Sequence, residues 1–225
     1  MGLASGYLVL YNLSQFAGWS YILGQCVFVL ATKRTCRGLY SSEIEFALHI
    51  FQTAAFLEVL HAMLGLVKSN VVQTFGQVFS RNYIVWLIVY QVPDAKYSPG
   101  IRLLLFAWSI TEVVRYLFYA LQVMGKSVYL VTWLRYTMFL VLYPMGVAGE
   151  MWTVYSAQPE ILKKDVLSVA MPNPYNIAFS FYYATWLQQL LWPLGLYQLY
   201  TYMLKQRSKV LGGKSTPPTP HQKTQ

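Results

Sequence analysis

Long apolar stretches separated by short polar segments dominate the pattern of this chain. Six of these stretches approach the ~20 residues that a helix needs to cross a bilayer. They lie near residues 7–31, 46–67, 71–91, 100–122, 128–152 and 177–204. Proline, glycine and charged residues occupy the breaks, as at residues 93–100 and 125–126, because these residues end helices. The pattern predicts an all-α membrane protein in which residues 1–204 form a bundle of six transmembrane helices.

The last segment, residues 205–225, is basic and then rich in proline, threonine and serine. Such a composition cannot build an apolar core, so we expect a disordered tail; the resemblance given below implies that this tail is cytosolic. An even number of spans predicts that both termini face the same side of the membrane. The positive-inside rule does not orient the bundle, since seven Lys and Arg residues fall on each side.

Composition supports the membrane class and excludes several others. Of 225 residues, 56% are hydrophobic and 11% are charged, whereas a soluble domain has about 25% charged residues. No basic n-region or small-residue cleavage site precedes Tyr7, so we read residues 7–31 as a span and not as a signal peptide. Cys26 and Cys36 are too few for a disulfide framework, and no Cys/His cluster has metal-ligand spacing. The net charge of +9 is spread over loops and tail, which argues against nucleic-acid binding.

Ionisable residues inside the apolar segments are the first functional candidates, because charge in hydrocarbon is expensive. The acids and arginines are equal in number: Glu58, Glu112, Glu150, Arg81, Arg115 and Arg135. This equality predicts a compensated internal network. Glu112 and Arg115 are three residues apart and predict a structural ion pair. The same spacing of Glu58 and His61 favours hydrogen bonding within the bundle over catalysis. Arg135 is expected either to neutralise a carboxylate or to contact an anionic group of a substrate.

The segment from Trp133 to Glu150 combines apolar length with candidate chemistry. Tyr143 and Glu150 are seven residues apart, two helical turns, and therefore share a face. Gly146 lies between them on that face and is expected to leave room for a substrate. Pro144 removes a backbone donor and predicts a kink at that point. A buried tyrosine and carboxylate suit acid–base catalysis, although structural networks also bury carboxylates.

One segment has the frame of a phosphatase loop. Residues 61–69, HAMLGLVKS, follow the pattern HCxxGxxR with a final serine or threonine. Ala62 stands where the nucleophilic cysteine is needed, and Lys68 stands where the phosphate-binding arginine is needed. Phosphocysteine chemistry requires a thiolate. We therefore reject a phosphatase.

Four blocks, taken together, resemble the 3-hydroxyacyl-CoA dehydratase family of the endoplasmic reticulum, also called protein-tyrosine-phosphatase-like. They are Leu57–Arg81, Trp108–Tyr119, Trp133–Glu150 and Met171–Asn176. The sequence LYPMG…GE in the third block is specific. The resemblance implies a six-helix enzyme of the reticulum membrane with cytosolic termini and no cofactor. It also implies that (3R)-3-hydroxyacyl-CoA loses water to give trans-2-enoyl-CoA, the third step of very-long-chain fatty acid elongation, beside a condensing enzyme and two reductases.

The resemblance matches the family's catalytic tyrosine and glutamate to Tyr143 and Glu150. Elimination needs one base and one acid: Glu150 suits the base and Tyr143 the proton donor, and the reverse assignment stays open. We expect the coenzyme A head group to bind basic residues at the cytosolic face, namely Lys68, Lys126, Lys205 and Arg207. The acyl chain is expected in a tunnel between the helices. Two alternatives belong to other classes: a proton-coupled membrane transporter and a catalytically inactive membrane scaffold.

Overall fold

Helices form nearly all the regular structure of the protein in the computed structural model, which describes residues 2–33 and 39–212. The α-helices are α1 Leu3–Lys33, α2 Ser42–Ala54, α3 Phe56–Met63, α4 Val71–Asn82, α5 Pro99–Val123, α6 Tyr129–Arg135, α7 Phe139–Lys164 and α8 Phe181–Leu211. A π-helical turn, Tyr83–Val89, continues α4, and a 3₁₀ turn, Pro93–Tyr97, precedes α5. The prediction of an all-α membrane protein is confirmed.

Polar residues in the breaks determine where helices begin. The side chain of Ser41 accepts a hydrogen bond from the backbone N–H of Ile44 at the start of α2. Asn70 and Ser98 cap α4 and α5 in the same way, and Pro99 follows Ser98 at the first turn of α5. These caps satisfy backbone donors that have no partner within the helix. The breaks between apolar segments therefore coincide with helix starts.

Three helical segments in the described part of the chain are long and apolar enough to cross a membrane individually. They are Leu3–Thr32, Ser42–Met63 and Pro99–Val123. Helices α6 and α7 qualify together, as a pair bent by 43°. The count of six spans stays a prediction.

The bend between α6 and α7 does not lie where the sequence predicted a kink. The break covers residues 136–138, whereas Pro144 lies inside the continuous helix α7. A proline disturbs the turn before it, because its ring meets the carbonyl of the residue four positions earlier. The interruption at residues 136–138 begins more than one turn earlier still, so Pro144 does not account for this bend, and a kink at Pro144 itself stays a prediction.

Helix α5 lies at the centre of the bundle and packs against both α1 and α7. Its backbone approaches that of α7 closely at two glycines. A Cβ atom on Gly149 would lie 2.6 Å from the backbone nitrogen of Leu104, and one on Gly100 would lie 2.5 Å from that of Thr153. Both distances are shorter than the contacts that real Cβ atoms make with non-bonded atoms, so only glycine at these two positions allows the helices to cross this closely. The crossing places the middle of α5 beside the middle of α7.

Contacts between neighbouring helices show which chain ends lie together. Tyr7, near the start of α1, hydrogen-bonds to His61, near the end of α3, at 2.9 Å. Helices α7 and α8 run antiparallel, since the amide nitrogen of Gln158 donates to the Thr185 hydroxyl at 2.8 Å. By this alternation, the start of α1, the loops after α3 and α5, and the end of α8 share one end of the bundle.

Two sequence predictions concern residues outside the described part. Cys36 lies outside the described residues, as do residues 213–225 of the expected tail. The first residues of that tail segment are helical, because α8 continues through Lys205 to Leu211. The boundary at residue 204 stays a prediction.

Candidate active site

Glu150 lies buried in α7, with 7% of its surface exposed, between α5 and α8. Its Oε1 atom accepts a hydrogen bond from Nε1 of Trp108 at 3.0 Å. Its Oε2 atom accepts one from Nε1 of Trp192. Among the described residues it forms no salt bridge. A buried carboxylate is thus held by two neutral donors.

Tyr143 lies two turns before Glu150 on α7 and is half-buried. Its ring packs against Phe139, with 5.6 Å between the centroids. Tyr143 and Arg135 line the same small cavity, about 10 Å³, between α5, α6 and α7. The guanidinium of Arg135 also lies 5.9 Å from the ring centroid of Tyr119. The structure therefore places Arg135 near the Tyr143 hydroxyl and gives it no carboxylate partner within the described residues.

A buried charge cluster lies between α3, α4 and α5. Arg115 donates from Nε to Glu112 at 2.7 Å, and its two terminal nitrogens donate to Glu58, each at 2.9 Å. Arg81 of α4 also pairs with Glu112. Two carboxylates and two arginines thus neutralise each other, as buried charges require. The contact predicted from the spacing of Glu112 and Arg115 is present.

Glu58 and His61 find their partners on other helices. Besides Arg115, Glu58 accepts a hydrogen bond from the Tyr116 hydroxyl. The Tyr11 hydroxyl donates to the same carboxylate at 3.3 Å. His61 instead bonds to Tyr7 through Nε2. Both residues therefore serve contacts within the bundle, the role that their spacing favoured.

Gly146 packs against α5 and does not leave open space. A Cβ atom there would lie 3.6 Å from the Cβ of Ala107 and 3.8 Å from Cδ1 of Trp108. These are ordinary van der Waals distances. The room that the sequence assigned to a substrate beside Gly146 is occupied by α5 in this structure.

The four basic residues expected at the head group lie at the same end of the bundle. Lys68 and Lys126 are exposed in the loops after α3 and α5. Lys205 is exposed and Arg207 half-buried near the end of α8. The structure brings them to one end, and their role in binding stays a prediction.

Sequence reasoning missed the two tryptophans that bind Glu150. Trp108 lies in a block that resembles the dehydratase family, but nothing in its spacing indicates a bond to α7, 42 residues away. Trp192 is one of seven tryptophans, and only the packing of α8 on α7 selects it. Contacts between helices far apart in sequence leave no local signal.

The fold and the site define an all-α membrane protein with a buried carboxylate, without a salt-bridge partner among the described residues, beside a neutralised charge cluster. A family model described as "Protein tyrosine phosphatase-like protein, PTPLA" matches residues 52–213. The chain belongs to this protein tyrosine phosphatase-like family.

Relatives extend the match over most of the chain. This chain is 49% identical over 210 residues to "Very-long-chain (3R)-3-hydroxyacyl-CoA dehydratase hpo-8" of Caenorhabditis elegans, and the alignment covers 93% of this chain and 96% of the relative. It is 41% identical over 209 residues to "Very-long-chain (3R)-3-hydroxyacyl-CoA dehydratase 2" of Homo sapiens, covering 93% and 82%. It is 40% identical over 206 residues to "Very-long-chain (3R)-3-hydroxyacyl-CoA dehydratase PASTICCINO 2" of Arabidopsis thaliana, covering 91% and 92%. No solved structure matches the chain.

Proposed function

We propose that this chain is a very-long-chain (3R)-3-hydroxyacyl-CoA dehydratase, a hydro-lyase of fatty acid elongation. Relatives that carry this name match 91–93% of this chain. The observation that carries the proposal is Glu150, a buried carboxylate without an arginine or lysine partner among the described residues, two turns from Tyr143. An intramembrane ionisable group that forms no salt bridge is a candidate functional group by default.

The reaction removes a proton from C2 of the acyl chain and a hydroxyl from C3, which leaves as water. Glu150 takes the C2 proton, since a carboxylate in a low-dielectric site is a stronger base than one in water. Tyr143 donates its hydroxyl proton to the departing oxygen. Arg135 lines the same cavity as Tyr143, and its positive charge stabilises the phenolate that forms. The reaction is also balanced with the roles reversed, in which the Tyr143 phenolate takes the C2 proton and the Glu150 carboxylic acid donates a proton to the departing oxygen.

The distance between Tyr143 and Glu150 limits how a substrate can bind between them. Along an ideal helix, residues seven apart are separated by ~10 Å. The side chains must therefore converge on C2 and C3 from opposite ends of the reacting segment. The acyl chain extends between the helices, because it needs apolar walls.

The head group binds at the end of the bundle that carries Lys68, Lys126, Lys205 and Arg207, because phosphates require cations in contact with water. That end and both termini face the cytosol. The protein lies in the endoplasmic reticulum membrane and works beside the condensing enzyme and the reductases of the elongation complex. The bundle topology supports a head-group site at this end, because the basic loops and the end of α8 lie together.

Turnover of (3R)-3-hydroxyacyl-CoA by the purified protein in nanodiscs tests the function directly. We expect trans-2-enoyl-CoA in the wild type and a loss of at least about 10² in kcat for Tyr143→Phe and for Glu150→Gln, the contribution typical of an acid–base group. The double variant should be little worse than the worse single variant, since groups that act as a unit are not additive. A folded wild type without turnover would favour the transporter or scaffold alternative.

A further inference from the structure

We infer that Trp108 and Trp192 are positioning residues, which hold the Glu150 carboxylate in its reactive orientation. This inference rests on the proposed function, since it assigns roles around the same carboxylate. It adds two helices to the site: α5 supplies Trp108 and α8 supplies Trp192.

The two indoles reach the two oxygens separately. Nε1 of Trp108 donates to Oε1 at 3.0 Å, and Nε1 of Trp192 donates to Oε2. An indole has one donor and no acceptor, so each can only bind an acceptor oxygen. Every carboxylate oxygen has two lone pairs, which leaves one on each oxygen of Glu150 for a substrate proton. The pair of indoles fixes the plane of the carboxylate without consuming its capacity to accept.

The choice of donors separates Glu150 from the other two intramembrane glutamates. Glu58 and Glu112 both pair with Arg115, and Glu112 also pairs with Arg81. An arginine partner would stabilise the charged carboxylate and weaken it as a base. Neutral indoles orient the group and add no counter-charge. A site that needs a basic carboxylate in a defined position requires this arrangement, whereas a structural carboxylate is better served by arginine.

The charge cluster supports one of the two indoles. The guanidinium carbon of Arg81 lies 5.5 Å from the ring centroid of Trp108, within the range of a cation–π contact. Arg81 is itself held by Glu112. Trp108 is 2% exposed, so its ring is confined on both faces. The second indole has an aromatic neighbour instead: the ring centroid of Tyr83 lies 6.2 Å from that of Trp192. The charge cluster thus borders the active site through the contact of Arg81 with one indole.

Turnover by Trp108→Phe and Trp192→Phe, each purified and shown to be folded, tests the inference. Phenylalanine keeps an aromatic ring and removes the N–H donor. We expect kcat to fall at least about tenfold in each, as for a lost hydrogen bond to a charged group, with KM changed less than about twofold. The matched control is Trp186→Phe. Trp186 lies on α8, as Trp192 does, but it is 38% exposed. This variant should keep kcat and KM.

A merely structural role would lower activity in any background. We therefore expect Trp108→Phe and Trp192→Phe to add no further loss to Glu150→Gln, because their effect passes through the carboxylate. The contact itself has a readout that needs no turnover and no tryptophan variant. In Glu150→Gln one oxygen becomes an amide nitrogen that cannot accept, so ultraviolet resonance Raman spectra should show one indole N–H losing its hydrogen bond.

The outcomes separate the two claims. If Glu150→Gln keeps wild-type turnover, the proposed catalytic role of Glu150 is wrong and the positioning roles fail with it. If Glu150→Gln is inactive while both phenylalanine variants keep their kcat, only the positioning inference is wrong. Further loss in the Glu150→Gln background, or an unchanged indole spectrum, also overturns the inference alone.

Discussion

Replacement of Gly149 and of Gly146 by alanine is the sharpest test of how α5 and α7 pack. Both glycines lie on the buried face of α7, three residues apart, and each change adds one methyl group. At Gly149 the new carbon would lie 2.6 Å from the backbone nitrogen of Leu104 and 2.9 Å from the carbonyl oxygen of Gly100. Backbone atoms cannot rotate away, so α5 must move. At Gly146 the nearest atom would be 3.6 Å away, and nothing must move.

The magnitudes follow from two opposing terms. Alanine in a helix interior is favoured over glycine by roughly 0.5–1 kcal/mol. Overpacking a well-filled site costs about 1–3 kcal/mol. We expect Gly146→Ala to stabilise the protein slightly, since only the first term applies. Gly149→Ala should destabilise it by about 1–2 kcal/mol, because the second term exceeds the first. The two variants should therefore differ by roughly 2 kcal/mol.

Unfolding of each variant in the same detergent, followed by circular dichroism, measures this difference. For a chain of this length ~1 kcal/mol corresponds to about 2–4 °C, so the melting temperatures should differ by several degrees. Equal melting temperatures would refute the close crossing at Gly149. The KM of Gly146→Ala tests the sequence hypothesis separately: a clear rise would return Gly146 to the substrate site, and an unchanged KM fits its packing against α5.

Three further predictions address the charges and the topology. Glu112→Gln and Arg115→Met should each lower thermal stability more than activity per folded molecule, because removal of one partner of a buried pair costs ~3–5 kcal/mol. A variant that is well folded but inactive would instead place the pair in the active site. Charge reversal at Lys68 and Lys126 together should raise KM with little change in kcat, the pattern of lost uniform binding, and an unchanged KM would place the head group elsewhere. Single cysteines in the loops that carry those lysines should react with an impermeant reagent from the cytosolic side, and labelling of the two loops from opposite sides would contradict the six-span topology.

The helical elements were largely predictable because they depend on local composition. Apolar segments and capping residues such as Ser98 define where a helix can lie and where it begins. The interruptions were not predictable. The π-helical turn Tyr83–Val89 and the break at residues 136–138 lie inside apolar stretches and contain no proline or glycine themselves. Packing against neighbouring helices determines such irregularities, and a single chain pattern does not carry that information.

The same distinction holds for the charge cluster. Glu112 and Arg115 are neighbours on one helix, so their contact follows from spacing. The bonds from Arg81 to Glu112 and from Arg115 to Glu58 join residues 31 and 57 positions apart. The equal number of acids and arginines predicted that such bonds exist, because buried charges need partners. It did not indicate which residues pair, since that depends on how the helices are arranged.

This equality of charges has a more specific meaning once the pairs are known. Glu58, Glu112, Arg81 and Arg115 form a cluster that is neutral by itself. Within residues 2–33 and 39–212, neither of the other two, Glu150 and Arg135, forms a salt bridge. Glu150 is held by indoles, and Arg135 lies beside Tyr143. In hydrocarbon each unpaired charge is costly, and direct pairing would remove most of that cost. An arrangement that keeps a base and a cation apart, with a tyrosine between them in sequence, is expected where both must act on a substrate. The unpaired state of Glu150 and Arg135 is therefore the part of the structure that a scaffold would not need.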